Sequence, residues 1–513
     1  MTTEVELKFL AETDLTDALS AWVATYPHQP LGDVQLGNTY FDTPTRQLRQ
    51  WGLGLRIRTR DGQHEQTIKG KGGSVAGLHQ RVEYNLPVQD PWPQLAAFPA
   101  DLWPTEADLP ALQAGLQPQF NTDFRRLAWR VQPVAGVEIE VAWDRGQISA
   151  NGASLPIAEV ELELIQGPAS ALFTLGASLL ALGGLRPGDQ SKAQRGYQLA
   201  GLTPPPEVRR MGYAPVTPAM TVLDGLFCVT GYALEQWQYH ETLLLAQTDD
   251  ADLAALIQWR QGIDLMLQIQ PLFADLLLTL PPRPWQEELA WLAHQLAWLD
   301  EAQALARFTA EHGHALRGLP DHERLLQVLQ QRRAALPSLG AMQALVRSPR
   351  VAQLLLAIGA WLCAVREATP VGLATQPLTA YACTRLDESW QELQDDDMAL
   401  PQLDDEAYIH LVGKLRRNLL TGVSFAALFD AELQQGFRLP WLNILRRMEE
   451  LQHLSVLDQV AAQLPTAGRL ALGEWLTARV APRLIELDQA RLQAQAMAPY
   501  WADTLSVDDA TLG

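Results

Sequence analysis

Lysine is scarce in this chain, with five residues in 513 against 34 arginines. Cysteine is scarcer still: Cys228, Cys363 and Cys383. An odd number without metal-ligand spacing excludes a disulfide framework or a cysteine-built zinc site, and buried thiols in a reducing compartment are expected. Long apolar runs are missing too. The longest uncharged stretch, around 171–185, is short for a membrane span and holds Gly176, Gly183 and Gly184, so it reads as an amphipathic helix packed on a core. The chain opens on charged strand residues, with no signal-peptide pattern. A cytoplasmic protein without a membrane partner is expected. Positive charge is in deficit overall. The formal net charge of -20 argues against free nucleic acid as a partner. Residues 1–203 carry net -6 and residues 204–513 net -14, so the basic residues of the first part act locally. Gly70-Lys71-Gly72-Gly73 lacks the ending of a P-loop and reads as a hairpin. Neither a Gly-x-Ser-x-Gly nor a Ser/His/Asp arrangement is present.

What the first 200 residues do have is alternation. Glu4, Glu6 and Lys8 alternate with Val5, Leu7 and Phe9. Asn38, Tyr40 and Asp42, then Arg56, Arg58 and Arg60, then Glu65, Thr67 and Lys69 repeat the pattern. His79, Arg81, Glu83 and Asn85 follow, then Glu138 and Glu140 in a phase that reaches Asp144, then Glu159, Glu161 and Glu163. Side chains two apart share one face of a strand, so each segment has a charged and an apolar side. Two geometries satisfy this. One is an open sheet with its charged face in water. The other is a closed antiparallel barrel with a polar lumen and helices over its apolar outside.

The residue types bear on that choice. A solvated face calls for Lys, Thr, Ser and Gln, whereas here arginines and glutamates stand in rows of one sign. Arginine and lysine rows suit phosphate oxygens, and paired glutamates suit a hard divalent cation such as Mg²⁺ or Mn²⁺. Together they match a metal-bound polyphosphate.

The E-x-E-x-K at Glu4, the Arg56-x-Arg58 pair, Lys69, His79-Gln80-Arg81-Val82-Glu83, the E-x-E-x-E at Glu159 and Ser191-Lys192 with Arg195-Gly196-Tyr197 resemble the CYTH, or triphosphate tunnel metalloenzyme, family over about residues 1–200. The resemblance implies an α+β domain built on an eight-stranded antiparallel tunnel barrel with flanking helices. It implies metal-dependent hydrolysis of inorganic triphosphate, with class IV-type adenylate cyclase or thiamine or nucleoside triphosphatase chemistry, or a non-enzymatic polyphosphate-binding scaffold, as the alternatives. By position, Glu4, Glu6, Glu161 and Glu163 are expected to bind metal. Lys8, Arg56, Arg58, Lys69, Arg81, Arg126 and Lys192 are expected to hold phosphate, with Arg125 competing for the place of Arg126. Lys8, Lys69, Glu83 and Asp144 are the expected catalytic residues, and Glu138, Glu140 and Glu159 further acids of the tunnel.

Leu202-Thr203-Pro204-Pro205-Pro206 opens a stiff linker. The expected organisation is 1–202 for the tunnel domain, 203–219 for the linker, 220–502 for a helical domain and 503–513 for a tail. Beyond the linker, Leu/Ala/Gln/Arg segments adopt helical spacing. They repeat internally, Phe273 corresponding to Phe429 and Asp300 to Asp458. Two related four-helix units about a pseudo-twofold axis are expected. Downstream of a CYTH segment this resembles the CHAD domain, an all-α duplicated four-helix module, which implies long-chain polyphosphate as a partner. His240, Arg260, Lys414, Arg416 and Arg417 fit such a groove. The segment is net acidic and lacks a dense H-x-x-R-x-x-x-R-R pattern, which weighs a scaffold or oligomerisation role against polyphosphate. His312 and His314, with His322 nearby, are a weak candidate metal pair, and Asp395–Asp397 and Asp404-Asp405-Glu406 read as a solvated loop.

Overall fold

The computed structural model describes residues 2–70, 72–249, 252–310, 316–369, 371–394, 400 and 405–502. Lys71, the His312 and His314 pair, Asp395–Asp397, Asp404 and the 503–513 tail lie outside the described residues.

Ten strands are described: β1 Thr2–Ala11, β2 His28–Asp42, β3 Gly54–Arg60, β4 Gln63–Lys69, β5 Gly73–Val75, β6 Leu78–Val88, β7 Gln117–Val131, β8 Glu138–Ala150, β9 Ala153–Gln166 and β10 Leu185–Pro187. They form one antiparallel sheet in the order β10-β1-β9-β8-β7-β2-β3-β4-β6-β5, and a further β1–β6 pairing closes it. The closed ring has eight strands, with β5 and β10 attached to its edges. Closure is the outcome that charge on one face alone could not decide. It pairs every strand of the ring on both sides and leaves the charged face as a lumen.

The apolar faces point outward and hold the main core. Leu7 and Phe9 of β1, Val141 and Trp143 of β8 and Val160 and Leu162 of β9 pack under helices Thr16–Val23 and Ser170–Leu179. The uncharged stretch around 171–185 is therefore the helical cover expected of it. A second core, with Phe41, Leu55, Ile57 and Ile68, lies beneath the segment holding Leu95, Phe98, Trp103 and Leu112.

One compact unit comprises 1–207, 283–285 and 344–367. The last piece contains the whole of helix Pro349–Glu367, whose Ala352, Leu356 and Cys363 belong to the barrel's outer core. Gly359 permits this contact, because a Cβ there would lie 2.4 Å from the Phe173 ring. Pro349–Glu367 is the one described helix long and apolar enough to cross a membrane, and 61% of its apolar window is buried within the protein.

The second unit, 208–282, 286–343 and 368–513, is helical where described. Its duplication is visible in reciprocal bonds. The Val222 N–H donates to the Gln376 carbonyl and the Leu378 N–H to the Met220 carbonyl, both at 2.9 Å. Each pair of equivalents is 156 residues apart, the same offset as Phe273 and Phe429. Asp405 and Glu406 belong to helix Asp405–Phe425 instead of a loop.

Candidate active site

The register of the ring places the charged rows opposite one another. Glu6 pairs with Glu163 and Lys8 with Glu161 across β1 and β9. Glu140 faces Glu163, and Asp144 faces Glu159, across β8 and β9. Asn38 and Tyr40 face Arg58 and Arg56, and Lys69 faces Glu83. A cavity of about 510 Å³ results in the lumen. Glu4, Glu6, Lys8, Arg56, Arg58, Lys69, Arg81, Glu83, Arg126, Glu140, Glu161, Glu163 and Lys192 all line it. Thirteen side chains named from sequence thus converge on one space. Three do not: Asp144 and Glu159 are fully buried behind the wall, and Glu138 sits 3.0 Å from Arg130.

One end of the lumen is filled by apolar side chains, including Leu36, Phe120, Phe124, Ile148, Ile157 and Tyr197. Helix Lys192–Leu199 supplies Tyr197 and approaches closely because residue 196 is glycine. A Cβ there would lie 2.1 Å from the Phe120 ring. The helix starts with a capping box: the Gln194 N–H donates to Ser191 Oγ, and the Ser191 N–H donates to Gln194 Oε1. This fixes the direction in which Lys192 leaves the helix.

Beneath the cavity lies a paired layer. Lys192 Nζ is 2.7 Å from Asp144 and 2.9 Å from Glu161, and it also contacts Glu159. Lys8 Nζ is 3.3 Å from Glu159 and 3.0 Å from Glu161. Arg126 is bidentate to Asp144, with both bonds at 2.7 Å, and donates to Glu161 at 2.6 Å. Arg125 points the other way and bonds Asp33, so strand phase selects Arg126 for the interior. Burial disfavours the charged form of Lys8, yet Glu159, Glu161 and Glu6 outweigh it and raise the ammonium's pKa. Burial likewise opposes ionisation of Glu161, and Lys192, Lys8 and Arg126 reverse this, holding its carboxyl well below the usual range.

Above that layer, Glu163 and Arg58 are each crowded by charges of their own sign. Burial, followed by repulsion from Glu4, Glu140 and Glu6, pushes the Glu163 carboxyl up to about 7. Burial, then Arg56 and Arg126, brings Arg58 down to about 10. Arg58 donates to Asn38 Oδ1 at 3.0 Å and has no carboxylate partner among the described residues. Lys69 spans the two regions, 2.6 Å from Glu4 and 3.5 Å from Glu83.

Two groups of carboxylates could hold a metal. Asp144, Glu159 and Glu161 bring oxygens within 4.8 Å of one another. Their charge is already balanced by Lys8, Arg126, Lys192 and Arg195, the last bonded to Glu159 at 2.5 Å. Glu4, Glu6, Glu140 and Glu163 crowd one another instead. A carboxylate set whose mutual repulsion raises a pKa is the one that a hard divalent cation would relieve.

Sequence reading missed Arg49. It lines the cavity with its guanidinium 4.3 Å from the Tyr197 ring centroid. It leaves the four-residue helix Gln47–Gln50, whose backbone is gripped by buried Asp42: the carboxylate accepts the N–H groups of Thr43, Leu48 and Arg49. The alternation that includes Asp42 ends with the strand and gives no signal for the turn that carries Arg49.

In the helical unit, Arg260 bonds Asp300 at 2.9 Å. Its equivalent 156 residues on, Arg416, bonds Glu449 at 2.8 Å and lies 3.5 Å from the same Asp300. Arg307 pairs with Glu450. His240 is fully buried, and its Nδ1–H donates to the Gln236 carbonyl at 2.8 Å.

Comparison with known proteins agrees with both halves. Residues 2–197 match the CYTH domain, and residues 229–462 match the CHAD domain. The inorganic triphosphatase of Haemophilus influenzae is 38% identical over 199 residues, which are 39% of this chain and 55% of that protein, so the match spans about half the relative's length. The solved CHAD domain from Ricinus communis is similar at TM-score 0.45 and 18% identity, covering 57% of this chain and 98% of that one. A Hippeastrum protein described as having a dominant triphosphatase activity is similar at TM-score 0.28 and 18% identity, covering 38% of this chain and 95% of that one. The chain carries a CYTH domain at residues 2–197 joined to a CHAD domain at residues 229–462.

Proposed function

We propose that the protein hydrolyses inorganic triphosphate to diphosphate and phosphate inside the barrel, with Mg²⁺ or Mn²⁺ as cofactor. The observation that carries this reading is the segregation of unbalanced charge in one cavity, with Arg58 lacking an anion and Glu163 crowded by Glu4, Glu140 and Glu6. A metal-bound polyanion supplies both missing partners at once. The 38% identity to a triphosphatase over this domain supports the same reading.

Glu4, Glu6 and Glu163, with Glu140 beside them, are the residues that would hold the cation. When bound, it would neutralise phosphate charge and lower the pKa of water. Arg56, Arg58, Arg81 and Lys69 would grip non-bridging oxygens. Glu83, between Lys69 and Arg56, would keep both oriented. Lys8, Arg126 and Lys192 line the wall, each tied to acids below, and would meet the substrate as fixed donors that need no reorganisation. Asp144, Glu159 and Glu161 would hold those donors in place. Phosphoryl transfer asks the protein chiefly for such positioning.

The cavity's aromatic rings favour an inorganic substrate over a nucleotide. Tyr40 stacks on Phe120, Tyr197 lies against Arg49, and Phe124 lies beneath Lys192 and Arg126. A base would compete with these contacts. The test is phosphate release from inorganic triphosphate, ATP and thiamine triphosphate, with and without each metal. Metal-dependent turnover that prefers the first supports the proposal. Preference for ATP, with cyclic AMP and diphosphate as products, would replace it with a cyclase.

A further inference from the structure

Histidine 79 has no part in the chemistry above, yet it sits at the seam where the barrel closes. The outer edge of β1 is shared by two strands: Thr2–Leu7 pair with β6, and Phe9–Ala11 pair with β10. Lys8 lies at the changeover. Its N–H donates to the Gly77 carbonyl, and its carbonyl accepts from the Gly188 N–H. His79 bridges the gap. Its Nε2 is 3.0 Å from the Gly188 carbonyl, and its Nδ1 is 3.3 Å from Arg81 Nη2.

These partners settle the tautomer. A carbonyl only accepts, so Nε2 carries the proton. A guanidinium only donates, so Nδ1 offers its lone pair. The ring is therefore neutral, and at 1% exposure its burial favours that form. Arg81 is constrained from a second side, because a Cβ on Gly72 would lie 2.2 Å from Arg81 Cγ. Among the described residues, Arg81 has no carboxylate within ion-pair distance, so His79 and Gly72 are what set the guanidinium's place. Gly188 lies three residues before Ser191, the cap of the helix that bears Lys192. One imidazole thus ties two phosphate-facing cations to the same seam.

We propose that His79 is a positioning residue for substrate binding: its Nδ1 aims Arg81 at the cavity, while its Nε2 fastens β6 to the segment leading to Lys192. This rests on the proposed triphosphate site and names a device within it.

The test is a thermodynamic cycle on the full chain. Calorimetry with a non-hydrolysable methylene-bridged triphosphate analogue and Mg²⁺ gives Kd for wild type, His79→Gln, His79→Asn, Arg81→Ala and the His79→Gln/Arg81→Ala double variant, and phosphate release from inorganic triphosphate gives turnover. His79→Gln keeps a donor near Gly188 but loses the acceptor facing Arg81. It weakens binding about tenfold, as expected for losing one charge-assisted hydrogen bond of ordinary strength. His79→Asn puts Oδ1 where Nδ1 was and recovers most of the affinity. In the Arg81→Ala background, His79→Gln adds less than about twofold, the mark of coupled residues. Equal losses in both backgrounds, or wild-type affinity in His79→Gln, would overturn the proposal. Thermal melting checks that each variant folds. Should both His79 variants unfold, the imidazole nitrogen resonances of the folded protein take their place: Nε2 must read as protonated and Nδ1 as unprotonated, with the Nδ1 signal moving in Arg81→Ala, and a protonated Nδ1 or an Nδ1 signal indifferent to Arg81 would overturn the proposal. Tight binding without turnover would remove the hydrolase reading and leave the cycle interpretable. No binding at all would overturn both.

Discussion

The barrel lumen and the helical unit both contain buried arginine and carboxylate, and they treat that charge differently. In the helical unit each central cation meets acids from its own neighbourhood, as Arg260 and Arg416 do around Asp300. In the lumen the lower layer is paired in the same way, but the upper layer separates its signs. Buried pairs that satisfy one another give little reason to recruit a ligand. Buried like charges that raise or lower one another's pKa are a standing demand for one. The comparison places the crowding of like charges that shifts Glu163 and Arg58 in the barrel, whereas Arg260 and Arg416 are matched by acids in the helical unit.

The sharpest test of that contrast removes the carboxylates. Glu6→Gln and Glu163→Gln are each expected to lower metal-dependent triphosphate turnover by about a thousandfold, since a catalytic cation contributes several kcal/mol. Steady-state kinetics across a metal titration checks this, and near-normal turnover would break the site assignment. Arg58→Ala follows, with kcat/KM down by about 10–100-fold for the loss of a charged hydrogen bond to phosphate. Arg416→Ala is the matching change in the other unit. It should leave turnover and any polyphosphate affinity within about twofold and show itself only as a lower melting temperature, as befits a structural pair. A large loss of polyphosphate binding there would reverse the comparison.

The smallest effect is a matter of pH. Glu163 titrates at about 7 in the folded protein against an ordinary value of 4.5. Between those values the native state binds more protons than the unfolded chain, so this group's contribution falls as pH rises through the window. Metal-free protein should therefore lose stability from about pH 5 to about pH 8 more steeply than the Glu163→Gln variant does. Added Mg²⁺ should raise the melting temperature more at the higher pH, because there it no longer competes with a proton.

The strands announced the site because period two is simple. Glu4, Glu6 and Lys8 share a phase, and the phase that distinguishes Arg126 from Arg125 places it inside. Phase says nothing of depth. Glu140 and Asp144 share a face of β8, but only Glu140 reaches the cavity, while Asp144 lies behind Arg126. Arg49 was illegible because a buried Asp42 carboxylate shapes its turn through backbone N–H groups, which leave no mark on composition. The affiliation of Pro349–Glu367 was equally hidden: an apolar helix advertises burial without saying in which core.

That helix bears on how such a protein can be taken apart. Three consecutive prolines after Thr203 look like a seam between interchangeable cassettes. The chain nevertheless returns to the first compact unit at 344–367, where Ala352, Leu356 and Cys363 complete the outer layer over Phe173. Cutting at the prolines would strip the barrel of a wall it did not build from its own stretch of sequence. Recombination that exchanged the C-terminal half wholesale would have to import a helix of matching face, or else leave an adhesive surface behind. The two halves are consecutive in the sequence, but the first compact unit takes a helix from the second.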